Sequence, residues 1–152
     1  MAAELTNPAV ELMRSVMTEL NGLDDAPTDL PITDDFVFED RRSSGGAGFG
    51  RVDATDWISM IASTWDVSEG GPHYSIPEVL AVRGDRLAAI VVNVDYGNGN
   101  VAEHAHCLQL DPTLRLFQRQ WDFDLSDVAS AIAELDRAHV EIGLGRPSSR
   151  PR

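Results

Sequence analysis

Four side chains in this chain are of types and in positions suited to acid–base chemistry: Asp40, His104, His106 and Arg119. Asp40 ends an apolar run, Phe36-Val37-Phe38, that follows an acidic lead, Thr33-Asp34-Asp35, and precedes Arg41-Arg42. A run this apolar is made to be buried as a strand. A carboxylate in an apolar wall has its charged form disfavoured, which raises its pKa toward the range of a general base. His104 and His106 are two apart, so on a strand both point the same way. A nearby histidine supplies a proton or hydrogen-bonds an oxyanion. Arg119 would hold Asp40 ionised or clamp an anionic substrate.

Strand alternation assigns the faces. On 101–110, Ala102, His104, His106, Leu108 and Leu110 share one face, and Val101, Glu103, Ala105, Cys107 and Gln109 the other. On 114–123 the aromatic row Arg115, Phe117, Arg119, Trp121 and Phe123 is the expected inner face; Leu114, Leu116, Gln118, Gln120 and Asp122 oppose it. Phe36, Phe38 and Asp40 point together. Convergence of these rows would make one cavity holding Asp40, His104, His106 and Arg119, walled by Phe36, Phe38, Phe117, Trp121 and Phe123. Trp57 joins them as a substrate wall or as plain core.

Each candidate has a plainer reading. Asp40 with Arg41 or Arg42 is equally read as a strand-end ion pair, a common cause of perturbed carboxylates without catalysis. The two histidines are equally read as core filler. As metal ligands they make two, Glu103 points away, His73 lies on a loop, and no third ligand is visible, so no metal is expected. Asn93 and Asp95 share a face whose side stays open.

The elements that must position these groups follow from periodicity. Val10, Met13, Met17 and Leu20 recur at helical spacing, with Asn7 and Pro8 at the start and Gly22 at the stop. Pro27 and Pro31 break the connection to the strand ending at Asp40. Ser43 to Gly50 is a Gly-rich loop, and Asp53 caps a helix through Trp57, Met60, Ile61 and Thr64. The glycines do not make a dinucleotide fingerprint, which requires a parallel βαβ unit. Then come strands at 76–82, 87–96, 101–110 and 114–123, joined by Arg83-Gly84-Asp85-Arg86, Gly97-Asn98-Gly99-Asn100 and Asp111-Pro112. Ser126 caps a last helix with Val128, Ile132, Leu135 and Ile142 in one stripe. Helices grouped against a later antiparallel sheet mean α+β, with the sheet curled around the helices into a cone-shaped pocket.

At 152 residues the chain fits one domain, expected over 1–145, with 146–152 a disordered basic tail. Its 12 cations, all arginine, face 25 acidic residues for a net charge of -13. Without lysine there is no Schiff base, Ser-Lys pair or P-loop lysine. The acidic balance excludes nucleic acid and anionic membranes as partners, since both require clustered cations. A lone cysteine, Cys107, excludes an intrachain disulfide framework and fits a reducing, cytoplasmic home. No signal peptide or membrane span is read.

The order of elements, the acidic lead into a strand ending in Glu39-Asp40, the Gly-rich loop before a short helix, and Phe123-Asp124 before the last helix resemble the nuclear-transport-factor-2-like fold over about residues 8–142. Within it the chain is most similar to SnoaL-like polyketide cyclases and ketosteroid isomerases. In the isomerases the strand after the N-terminal helices ends in the proton-moving aspartate, the place of Asp40. Their oxyanion hole pairs a first-helix tyrosine with a protonated aspartate on an inner strand, the place of His106. No tyrosine is present on the first helix here, where Val16 or a neighbour stands. Cyclases and epoxide hydrolases of this fold use aspartate with histidine or arginine, nearer to Asp40, His106 and Arg119. The resemblance implies a cofactor-free isomerase, cyclase, dehydratase or hydrolase acting on a hydrophobic polyketide- or terpenoid-like molecule, with non-catalytic ligand binding as the alternative. It also implies a homodimer, expected through Leu114, Leu116, Cys107 and Val101.

Overall fold

The computed structural model describes residues 5–42 and 50–145; the expected tail at 146–152 and most of the Gly-rich loop lie outside the described residues. Helix α1 (Pro8–Asn21) starts where Asn7 Oδ1 accepts from the Val10 N–H at 3.1 Å. It buries Val10, Met13, Met17 and Leu20, the stripe its spacing predicts. Both ends are tied to the sheet by asparagines. Asn7 Nδ2 donates to the carbonyls of Gly84 and Leu87 at 3.0 and 2.8 Å. Asn21 donates to the Tyr74 carbonyl at 2.9 Å and accepts from the Tyr74 N–H at 2.8 Å.

Residues 22–31 form no helix, consistent with Pro27 and Pro31. Next come β1 (Ile32–Asp40), a three-residue β2 (Arg51–Asp53) and α2 (Ala54–Val67), whose cap Asp53 accepts from the Asp56 N–H at 3.0 Å. Then β3 (His73–Arg83), β4 (Leu87–Asp95), β5 (Val101–Leu110) and β6 (Phe117–Phe123) lead through a 3-10 turn to α3 (Val128–Gly143). Sheet order is β2-β1-β6-β5-β4-β3. The α+β class and the four-strand meander are as expected. The sheet is mixed rather than wholly antiparallel, because β1 runs parallel to β6.

Helices α1 and α2 cover the inner face, and α3 covers the outer one. Phe36, Phe38, Trp57, Ile90, Val92, Leu108 and Phe117 belong to the inner core, and Cys107, Trp121, Phe123, Ala131 and Leu135 to the outer. Strand β4 serves both, which is why its sequence is nearly continuously apolar. Asn93 and Asp95 fall on its outer side, where Asn93 Nδ2 donates to Glu103 at 3.1 Å.

One irregularity corrects the face assignment. Gln109 pairs with Arg119 but Leu110 pairs with Phe117, so Gln118 is an extra residue on β6. An inserted residue breaks the two-residue period. Phe117 therefore faces inward as expected, while Trp121 and Phe123 face α3. The start of β6 also moves, from Leu114 to Phe117. The carboxylate of Asp111 accepts from the N–H groups of Arg115 and Leu116 at 3.2 and 3.1 Å and from Thr113 at 2.7 Å, holding a turn in which Leu114 takes φ 64.

The expected dimer patch is not one surface. Cys107 is fully buried, its Sγ 3.4 Å from the Ala131 carbonyl of α3; Leu114 packs on the inner core; Val101 is exposed. Burial pushes the Cys107 thiol up to about 12. No helix among the described residues is long and apolar enough to cross a membrane.

Candidate functional site

The inner face holds a cavity of about 80 Å³. Its walls are Met13, Val16, Met17 and Leu20 of α1, Leu30 and Pro31 of the proline-broken connection, Phe36, Trp57, Ile61, Val92 and Phe117. Three polar residues share this lining: Tyr74, His106 and Gln120. Trp57 stacks on Phe38 with ring centroids 4.2 Å apart, and Phe36 lies 6.1 Å from it, so the aromatic wall is one continuous stack. At the far side of α2 the Tyr74 hydroxyl meets Thr64 Oγ1 at 3.2 Å.

Behind the polar end runs a row of charged and titratable side chains. Asp40 on β1 is in register with Asp122 on β6, and Asp122 with His106 on β5. His104 lies beside His106, their rings 4.5 Å apart. Both imidazoles present Nε2 to one carboxylate oxygen, Asp122 Oδ2, at 3.2 Å for His104 and 3.5 Å for His106. The other oxygen, Oδ1, accepts from the Gln120 amide at 3.0 Å, and the same amide nitrogen lies 2.9 Å from His106 Nδ1. An NH₂ already donating to a carboxylate can only donate to Nδ1 as well, so Nδ1 is the acceptor and the neutral ring carries its proton on Nε2. That Nε2 is buried and makes no hydrogen bond.

Burial pushes His106 down to about 3, against the pull of Asp122, which leaves the ring neutral. Burial alone would raise the Asp122 carboxyl; the two imidazoles facing it and the Gln120 bond outweigh that and hold it below the usual value. Asp40 has a different environment. Its Oδ1 accepts from the Arg42 N–H at 3.0 Å and from Arg42 Nε at 2.9 Å, its Oδ2 accepts from Nη2 at 2.8 Å, and its side chain is fully occluded. This is the ion-pair geometry, and Asp40 is not among the cavity walls.

The expected constellation is thus brought together in part. Asp40, His104 and His106 share the inner face with Phe36, Phe38, Trp57 and Phe117. Arg119, Trp121 and Phe123 lie on the other side of the sheet, because of the extra residue at Gln118. There Arg119 stacks 3.8 Å above the Trp121 ring and donates to Glu39 at 3.1 Å. Arg41 bridges Glu39 and Glu134 of α3, both at 2.9 Å. Arg119 joins β6 to β1 on the side of the sheet that α3 covers, and Arg41 is the residue that ties α3 to the sheet.

Gln120 and Asp122 are the residues that alternation assigned to the wrong face. Their signal was present as two polar residues interleaved with Trp121 and Phe123, but Gln-Arg-Gln-Trp-Asp-Phe has a mixed character on both faces. Only the cross-strand register settles which one meets the histidines.

No family model matches the chain, and no curated protein matches it. Solved structures do. A cystatin-like-fold protein of unknown function from Methylobium petroleophilum PM1 is 20% identical with a TM-score of 0.61, covering 99% of this chain and 98% of that one. The Delta 5-3-ketosteroid isomerase from Mycobacterium sp. is 15% identical with a TM-score of 0.56, covering 80% and 96%. An LEH-like epoxide hydrolase of M. tuberculosis is 15% identical with a TM-score of 0.54, covering 95% and 96%. Another match is itself an NTF2-like protein. At these identities the likeness speaks for the fold alone: among the described residues, three helices against an open six-stranded mixed sheet, the nuclear-transport-factor-2-like fold.

Proposed function

We propose that the chain is a small-molecule enzyme that moves a proton on an apolar, oxygen-bearing ligand held in the inner cavity. The observation that carries this reading is His106 in the wall of a mostly apolar cavity, its Nε2–H buried and without a hydrogen bond. A buried donor without a partner is costly, and a ligand oxygen would satisfy it. A neutral imidazole in this position polarises a carbonyl without first losing a proton. The carboxylates nearest to serve as proton acceptor are the in-register Asp40 and Asp122; both lie behind His106 and outside the cavity lining, so either would need the wall to open to reach a ligand. Solved neighbours of this fold include an isomerase and an epoxide hydrolase, which supports acid–base chemistry as the class. The cavity suits a compact body, so a polyketide- or terpenoid-sized substrate would extend beyond it.

A second reading, non-catalytic ligand binding, is favoured by the locking of Asp40 against Arg42. Acetophenone and ethylbenzene, tested with chelator present, separate the two. The ketone is expected to bind roughly 3- to 10-fold more tightly than its oxygen-free counterpart, one net hydrogen bond. His106→Phe should erase that difference, and its survival in His106→Phe sinks the assignment of the donor. Deuterium exchange at the ketone methyl, followed by NMR in D₂O, reads proton transfer directly. Loss of exchange in Asp40→Asn alone, or in Asp122→Asn alone, names the acceptor. Binding without exchange makes the chain a binding protein.

A further inference from the structure

We infer that His104, His106 and Asp122 form a binding site for one divalent first-row transition-metal ion at the polar end of the cavity. The sequence shows two ligands at His-x-His spacing, and the structure supplies the third from the neighbouring strand. Their three donor atoms lie within 4.8 Å of one another. Metal–ligand bonds of about 2.1 Å put neighbouring donors about 3.0 Å apart at an octahedral centre and about 3.4 Å apart at a tetrahedral one. The two histidine-to-Asp122 separations, 3.2 and 3.5 Å, already have that size.

Charge gives an independent reason. Asp40 is clasped by Arg42, but among the described residues the groups within ion-pair distance of Asp122 are His104 and His106 alone. A buried carboxylate facing two imidazole nitrogens, one of them without a hydrogen bond, is a set of donors in search of a cation. Two histidines and one carboxylate suit iron, cobalt, nickel or zinc and not the harder magnesium or calcium. Of the three donors, His106 is the one that also lines the cavity, which places the site at its edge.

Loading requires both rings to free Nε2: His104, which donates from Nε2 to Asp122 Oδ2 at 3.2 Å, must carry its proton on Nδ1 instead. The ion needs the lone pair of His106 Nε2, so the ring proton must move to Nδ1, where Gln120 now donates. The Gln120 amide must therefore turn its carbonyl to Nδ1 and release Asp122 Oδ1, becoming the outer partner that metal-bound histidines ordinarily have. In the loaded form the ion replaces the His106 proton as the group that meets a ligand oxygen. The inference shares the cavity with the proposed function but needs neither a ligand nor turnover.

Cobalt(II) titrated into chelator-stripped full-length protein is expected to bind one per chain and give visible d–d bands. Asp122→Asn and His104→Ala, each checked for folding by near-ultraviolet circular dichroism, should weaken binding by more than the roughly 10- to 100-fold that loss of an outer partner costs. His73→Ala and His139→Ala should leave it unchanged. Because Asp122 is buried, His104→Ala, at a partly exposed side chain, is the variant that decides if Asp122→Asn misfolds. Absence of one-per-chain binding overturns the site, and so does binding that survives His104→Ala. Failure here with ketone binding intact under chelator removes only the metal; cobalt binding without ketone binding removes only the proposed function.

Discussion

Asp40 and Asp122 are direct cross-strand neighbours where β1 runs parallel to β6, two buried carboxylates side by side. Arg42 makes this tolerable by clasping Asp40 through both oxygens. Replacing Arg42 by Met is expected to destabilise the fold by about 2–3 kcal/mol, below the usual cost of breaking a fully buried pair because Arg42 remains 26% exposed. Urea denaturation measures it. An unchanged midpoint would mean that the clasp does not hold the carboxylate row together.

Glu39 ties stability to pH on the opposite face. Burial would raise its pKa, but its bonds to Arg41 and Arg119 outweigh that and lower it. A folded pKa below the unfolded value gives stability that is complete above the unfolded pKa and lost as pH falls through the folded one. Glu39→Gln should therefore lower the urea midpoint above about pH 5, and the gap from the parent should close as the medium is acidified. A gap that widens toward low pH would contradict the sign.

The two aromatic faces can be told apart by fluorescence. Trp57 lines the cavity, whereas Trp121 lies under α3 with Arg119 over its ring. Quenching by a bound aromatic ketone should disappear in Trp57→Phe and persist in Trp121→Phe. The reverse pattern would put the ligand on the wrong side of the sheet.

Cys107 reports on the cover of the outer face. Its thiol is buried and its thiolate disfavoured, so an aromatic disulfide reagent should react only as fast as the chain opens. Rapid stoichiometric modification of the native protein would show that α3 does not stay on the sheet.

Local chemistry made much of this architecture readable from residues alone. Asn7 and Asp53 are short polar side chains ahead of apolar periodicity, and each does cap its helix. Asp40, Phe36 and Phe38, and His104 with His106, point where simple alternation puts them. Non-local geometry was not readable. The extra residue at Gln118 is a property of how β6 pairs with β5, and it turned Arg119, Trp121 and Phe123 away from the cavity. The same slip hid Gln120 and Asp122 and so removed the third donor from beside the histidines. The parallel contact of β1 with β6 joins residues roughly eighty positions apart, which no short-range signal encodes.

The asparagine ties at both ends of α1 divide the cavity into unequal walls. Asn7 and Asn21 bond α1 to backbone atoms of the sheet and of its β3–β4 turn, so moving that helix means breaking these side-chain-to-backbone hydrogen bonds. Helix α2 carries one buried residue, Trp57. Thermal breathing falls on the helix with the fewer bonds to break. Were a ligand to enter past a helix, α2 would be the leaf that swings and the stacking of Trp57 on Phe38 the latch it has to lift.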